Sequence, residues 1–167
     1  MKMKSRKLTA ALLIVYLAVL TWIIVFKMQF PGDPGLPHMR NVNLIPFGQS
    51  VIVNNRVDMG EIIQNGLAFV PYGLLLGSLL EKKPFVQKLL PIMLTSLVYE
   101  CVQYVLAIGA SDITDLIMNS LGGLAGIGIA LVLSLVLRRS WQKMINVICL
   151  IGAILLGLLM VILFIAN

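Results

Sequence analysis

Charge is scarce in this chain, and acid is the scarcest part of it. Of 167 residues only 12% are charged, and Asp and Glu together number 7. A water-soluble domain carries roughly a quarter charged residues, so a fold surrounded by water on all sides is excluded. Histidine occurs once and cysteine twice, which leaves no material for a His/Cys zinc cluster or a disulfide scaffold. Cys101 and Cys149 both fall within apolar runs and read as small packing residues. The lone histidine, His38, stands in a loop with no zinc-ligand spacing around it and reads as solvated. The formal charge of +6 does not point to nucleic acid. The basic residues gather at the ends of apolar runs, where membrane topology requires them.

What the chain has instead is oil. Hydrophobic residues make up 59% of it and the mean hydropathy is +0.98. About 20 apolar residues in a row suffice to cross the hydrocarbon core of a bilayer. Five such runs are present: Leu8–Phe26, Ile62–Leu80, Leu89–Ile108, Leu116–Leu137 and Ile145–Ala166. The first follows Lys2, Lys4, Arg6 and Lys7. It is longer than a signal-peptide core and has no cleavage site after it, so it reads as a retained anchor. The expected class is an all-α integral membrane protein, a single domain over residues 1–167 built as a bundle of five transmembrane helices. The expected setting is a membrane crossed several times, with membrane lipids as neighbours.

Lys and Arg are distributed unequally. Ten lie in the N-terminal tail and in the loops after the second and fourth runs, and three (Lys27, Arg40 and Arg56) lie in the long loop after the first. Positive loops stay inside, which places the N-terminus in the cytoplasm and the C-terminus outside. Almost all the unusual chemistry then falls at the outer face. Glu61 and Asn65 open the second run; Ser96, Glu100 and Gln103 share a face of the third; Asp112, Asp115 and Asn119 begin the fourth within an arc of about 60° at helical spacing. These faces should meet in one polar cup.

Ionisable groups at membrane depth cost several kcal/mol and mark functional interiors, so Glu100, Asp112 and Asp115 lead the candidates. Asp112 also fits the N-cap of the fourth helix, with Asp115 in its first turn. Asn119 and Asn65 also suit interhelical hydrogen bonds. Gly122, Gly123 and Gly126 offer the small-residue spacing that lets helices approach, and Pro71 breaks the hydrogen-bond ladder of the second helix. The fifth run, nearly free of polar residues, reads as lipid-facing support. The loop after the first run opens with Pro31, Gly32, Pro34, Gly35 and Pro37. It continues into the short apolar segment Asn41–Phe47, suited to the interface or to dipping back against the cup. Arg40 and Arg56 are candidate partners of the carboxylates.

Four ordered motifs resemble the VanZ-like family: Asn43-Leu-Ile-Pro-Phe47, Asn65-x-x-x-Phe-Val-Pro-Tyr-Gly73, Glu100-x-x-Gln103, and Asp112-x-x-Asp115-x-x-x-Asn119-x-x-Gly122. They mark a core of about residues 40–130. Two departures from the family pattern stand out. Gly109-Ala110-Ser111 stands where an arginine often precedes the aspartates, and Thr114 replaces the middle aspartate. The family takes its name from a teicoplanin-resistance protein. The resemblance implies a protein that acts on a lipid-linked wall precursor or a lipoglycopeptide, through a binding set of Asn43, Asn65, Glu100, Gln103, Asp112, Asp115, Asn119 and Arg40. An intramembrane enzyme is the alternative, with Glu100 and Asp115 as acid and base, or with Glu100, Asp112 and Asp115 as oxygen ligands for Mg²⁺, Mn²⁺ or Ca²⁺. A small transporter or flippase comes third, since no inverted repeat is visible. The residues identify no cofactor. For the topology, reporter fusions after Lys82 and after Arg139 should report cytoplasm and a fusion at Gly35 the exterior; a cytoplasmic signal at Gly35 would move the cup to the other face.

Overall fold

Apolar runs bounded by basic ends do form helices, and they start earlier than hydropathy alone indicates. The computed structural model describes residues 2–27, 39–47, 52–53, 56–57, 59–138 and 140–166. In chain order these form α1 (Lys2–Ile24), β1 (Met39–Asn43), β2 (Ile52–Val53), β3 (Arg56–Val57), α2 (Met59–Leu79), α3 (Phe85–Leu106), β4 (Ile108–Asp112), α4 (Ile113–Leu137) and α5 (Trp141–Ala166). All five helices are long and apolar enough to cross a membrane. Each begins several residues before the corresponding apolar run, because a helix backbone continues through a polar first turn that hydropathy discards. α3 stops two residues early. There Ala107 takes a left-handed conformation (φ 56°) and its amide caps the Gln103 and Tyr104 carbonyls, turning the chain into β4.

Between helices in a membrane, lipid competes equally for apolar surface, so close packing and hydrogen bonds hold the bundle. α2 and α4 approach backbone to backbone. A Cβ added at Gly122 would land on the Gly66 carbonyl oxygen, one at Gly73 on that of Gly123, and one at Gly126 on the Val70 carbonyl. The glycine motif of α4 thus has its counterpart on α2. The opposite flank of α4 meets α3 in an antiparallel ladder: Gly123 packs on Ile92, and one turn along Asn119 Nδ2 donates to Ser96 Oγ at 3.0 Å. The next turn brings Glu100 and Asp115 to the same rung.

Aromatic side chains fill the centre. Phe69 is fully buried, with the rings of Tyr72 and Tyr99 centred 6.0 and 6.3 Å away. Tyr72 shares a 3.1 Å hydrogen bond with Thr95, and Tyr99 one of 2.8 Å with Thr21 of α1. Pro71 leaves Leu67 without its helical donor, and beside that break Tyr16 of α1 donates to the Ala68 carbonyl at 2.7 Å. α5 docks on α1 through Asn146, which donates to the Ser5 carbonyl at 3.0 Å and accepts from Thr9 Oγ1 at 2.8 Å. Trp141 and Ile145 bury the start of α5, while Ile148, Ile151, Leu155 and Leu158 face outward.

Two short sheets complete the chain. β2 and β3 form an antiparallel pair. β1 and β4 pair in parallel, Met39 with Ile108 through Asn43 with Asp112. No sequence signal announced that pairing. It gathers the C-terminal ends of α1 and α3 and the N-terminal ends of α2 and α4 at one end of the bundle, called the sheet end below. His38 and the loop prolines Pro31, Pro34 and Pro37 lie outside the described residues, as do Gly32 and Gly35.

Packing at the glycines yields a direct test. Gly122→Ala should destabilise the purified protein by at least the ~1–3 kcal/mol typical of an overpacked core, because the new methyl meets backbone that cannot swing away. Gly128→Ala, where a Cβ meets nothing within 4 Å, should leave the thermal midpoint unchanged. Equal midpoints for the two variants would contradict the α2–α4 contact.

Candidate functional site

The site is assembled from the N-terminus of α4 outward. A helix start leaves its first amides without helical partners, and Asp112 supplies one acceptor: its Oδ1 takes the Thr114 amide at 2.8 Å, with extended backbone at φ −120°. Asp112 is therefore the N-cap, as its position in the sequence suggests. Its own amide points the other way and donates to Glu100 Oε2 on α3 at 2.9 Å. Ser111 Oγ donates to the Glu100 carbonyl at 2.7 Å. Glu100 is thus held by the strand that follows its own helix, not by Gln103.

The N-terminal strand closes over this cap. Thr114, where the family pattern has an aspartate, is fully buried and accepts the Phe47 amide at 3.0 Å. Asn43 Oδ1 accepts the Ile45 amide at 3.0 Å, a local turn. The Asn43–Phe47 segment is therefore anchored to the bundle by the Phe47 amide on Thr114 and by the pairing of β1 with β4, while Val42, Leu44, Ile45 and Phe47 stay exposed.

The second helix brings Asn65, whose side chain hydrogen-bonds Asp115. Glu100 lies within electrostatic range of Asp112 and Asp115, and Asp115 within range of Glu61. Four carboxylates, from α2, α3, the cap and α4, therefore influence one another electrostatically at the sheet end. Among the described residues a cation beside them is Lys27, at the end of α1, which contacts Glu61 at 2.6 Å and also acts on Glu100 and Asp115. Sequence reading missed Lys27 in this role. Its signal was present: a lone cation at the end of the first span that lacks the basic clusters.

Other expected residues go elsewhere. Arg40 is exposed and donates to the Val105 carbonyl at 3.2 Å, at the end of α3, because a helix C-terminus offers free carbonyls to a cation. It does not take the role of carboxylate partner expected of it. The Arg56 side chain lies outside the described residues. Gln103 donates through Nε2 to the Ile24 carbonyl at 3.0 Å, and its Oε1 has no hydrogen-bond partner among the described residues. Among the described residues no three His, Cys, Asp or Glu side chains converge as a metal site requires, so Glu100, Asp112 and Asp115 do not form a ligand triad here.

Replacing Thr114 isolates the tie between strand and cap. Thr114→Val keeps the volume and removes the acceptor of the Phe47 amide. Amide exchange at Phe47 should accelerate and stability fall by about 1 kcal/mol; unchanged exchange would show that the contact does not hold the segment.

The chain resembles known proteins over most of its length. The family model described as VanZ/LLP1 matches residues 13–134. The chain is 36% identical over 155 residues, covering 92% of this chain and 91% of the relative, to "Protein VanZ" of Enterococcus faecium. No solved structure matches. The match runs through α1 to α4 and so contains every helix that contributes to the acidic cluster: this multi-pass membrane protein belongs to the VanZ/LLP1 family.

Proposed function

We propose that the sheet end is a binding site at the outer face of the bacterial cytoplasmic membrane, and that the chain acts there on a lipid-linked cell-wall precursor or a teicoplanin-type glycopeptide. The positive-inside distribution of Lys and Arg supports the orientation. Arg6 and the Lys82, Lys83, Lys88 and Lys143 group sit at the end opposite the sheet, and the acidic cluster sits at the sheet. Membership of a family named for a teicoplanin-resistance protein supports the biological setting.

One observation carries the reading. Buried side-chain atoms without a hydrogen-bond partner among the described residues include Ser78 Oγ in the second half of α2, and at the sheet end atoms of Asn43, Glu100, Gln103 and Asn119. A buried group left unpaired costs about 1–3 kcal/mol. A protein that needed only a stable bundle would gain by replacing such groups with apolar ones. Their retention around one acidic cluster fits a site that is completed by something it binds. The meeting of Glu100 and Asp115 favours a second reading, an intramembrane acid–base enzyme acting on a lipid.

Teicoplanin-type challenge of cells tests the site. Glu100→Gln and Asp115→Asn should each abolish protection while expression and thermal midpoint stay near those of the parent. Full protection by both variants would assign the carboxylates to folding alone. Product formed from a labelled lipid substrate by the parent, and not by Asp115→Asn, would favour the enzyme.

A further inference from the structure

The unpaired atoms of this site have a direction. Glu100 is 6% exposed, Gln103 4%, Asn119 0% and Asn43 3%. Three of the four unpaired atoms are acceptors: Glu100 Oε1, Gln103 Oε1 and Asn119 Oδ1, against the single donor Asn43 Nδ2. Two of these assignments are chemically forced. The partner of Gln103 is the Ile24 carbonyl, which only accepts, so the amide nitrogen must face it and the oxygen is left over. The partner of Glu100 Oε2 is the Asp112 amide, which only donates, so in the ionised carboxylate Oε1 is left as an acceptor. Glu100 is in electrostatic range of both Asp112 and Asp115, and its unpaired oxygen is buried.

Charge points the same way. Around Asp115 stand Asp112, Glu61 and Lys27, and Lys27 is already in contact with Glu61. Arg40 donates to the Val105 carbonyl at the end of α3. A phosphate, sulfate or carboxylate entering this site would bring acceptors to acceptors and negative charge to negative charge. A primary ammonium group does the reverse. It offers three N–H donors, no acceptor and one positive charge. Its reach is short, which suits oxygens on adjoining turns of α3.

We propose that the acidic cup binds the primary ammonium group of an amine-bearing molecule, with Glu100 Oε1 and Gln103 Oε1 as acceptors and Asp115 as counter-charge. This deepens the binding reading above and rests on it. An aminophospholipid headgroup and a water-soluble amine share this chemistry. The exposed apolar residues Val42, Leu44, Ile45 and Phe47 beside buried Asn43 offer acyl chains a surface next to the cup.

Native mass spectrometry of the full-length protein in detergent can decide. The probes are dioctanoyl phosphatidylethanolamine, the matching phosphatidylcholine and the matching phosphatidylglycerol. The choline lipid keeps the charge but lacks N–H donors, and the glycerol lipid lacks the cation. Phosphatidylethanolamine should bind at least tenfold more tightly than either. Equal affinities, or a preference for phosphatidylglycerol, would overturn the proposal without any variant being needed. Competition by free ethanolamine or glycinamide would identify a soluble amine as the occupant, and its absence a lipid headgroup; either outcome is consistent with ammonium recognition. Glu100→Gln retains an oxygen for the Asp112 amide and turns an NH₂ toward the ligand, so the tenfold preference should vanish; Asp115→Asn should lower it likewise. A full preference in both would sink the assignment of the site. Lost protection of cells with no headgroup preference would spare the proposed function and refute the ammonium; headgroup preference with no protection by the parent would do the opposite.

Discussion

The approach of α2 to α4 sets the geometry of the whole molecule. Lipid tails solvate leucine as well as another helix does, so apolar side chains alone do not select one arrangement of helices in a membrane. Glycines do, because contact at a bare backbone is available only in one register. Gly66 against Gly122, and Gly126 against the Val70 carbonyl, hold two helices that run in the same direction with their N-termini at the same end. Asn65 of α2 then meets Asp115 of α4. α3 uses the other flank of α4, where Gly123 accepts Ile92, and its register carries Ser96 to Asn119 and Glu100 to the rung of Asp115.

Above that frame, a run of hydrogen bonds joins parts distant in sequence. Phe47 donates to Thr114, Thr114 donates to Asp112, and Asp112 donates to Glu100. A backbone segment at membrane depth must find partners inside the protein. Here the N-terminus of α4 is capped from its own Asp112 and covered by the segment after β1. Thr114 therefore does a job in this chain that an aspartate would do differently, since a threonine hydroxyl both accepts and donates without adding a further charge to the cluster.

This structural order also explains why the acidic residues play several parts at once. Asp112 is a cap and Glu100 is an anchor for its amide, which is what a purely structural account would assign to them. Neither role uses the second oxygen of Glu100 or the carbonyl of Gln103. One side of each group is used by the fold, and the proposed ligand would take the other.

Much of this was legible in the residues themselves. The scarcity of charge and the five apolar runs determine a membrane helix bundle, because only a helix satisfies its own backbone in hydrocarbon. Asp112 followed by an apolar run determines a capped helix start, and the spacing of Asp112, Asp115 and Asn119 determines that they share a face. What the sequence does not contain is the identity of partners across the bundle. The parallel pairing of β1 with β4 joins strands more than sixty residues apart, and nothing in either strand names the other. Arg40 had two kinds of acceptor to choose from, and the fold brought it the Val105 carbonyl. Lys27 was an ordinary span-end residue until the turn after α1 placed it beside Glu61. Local propensity and periodicity are properties of neighbours along the chain. Which carboxylate meets which cation depends on distances that exist only once the glycine contacts have brought the helices together.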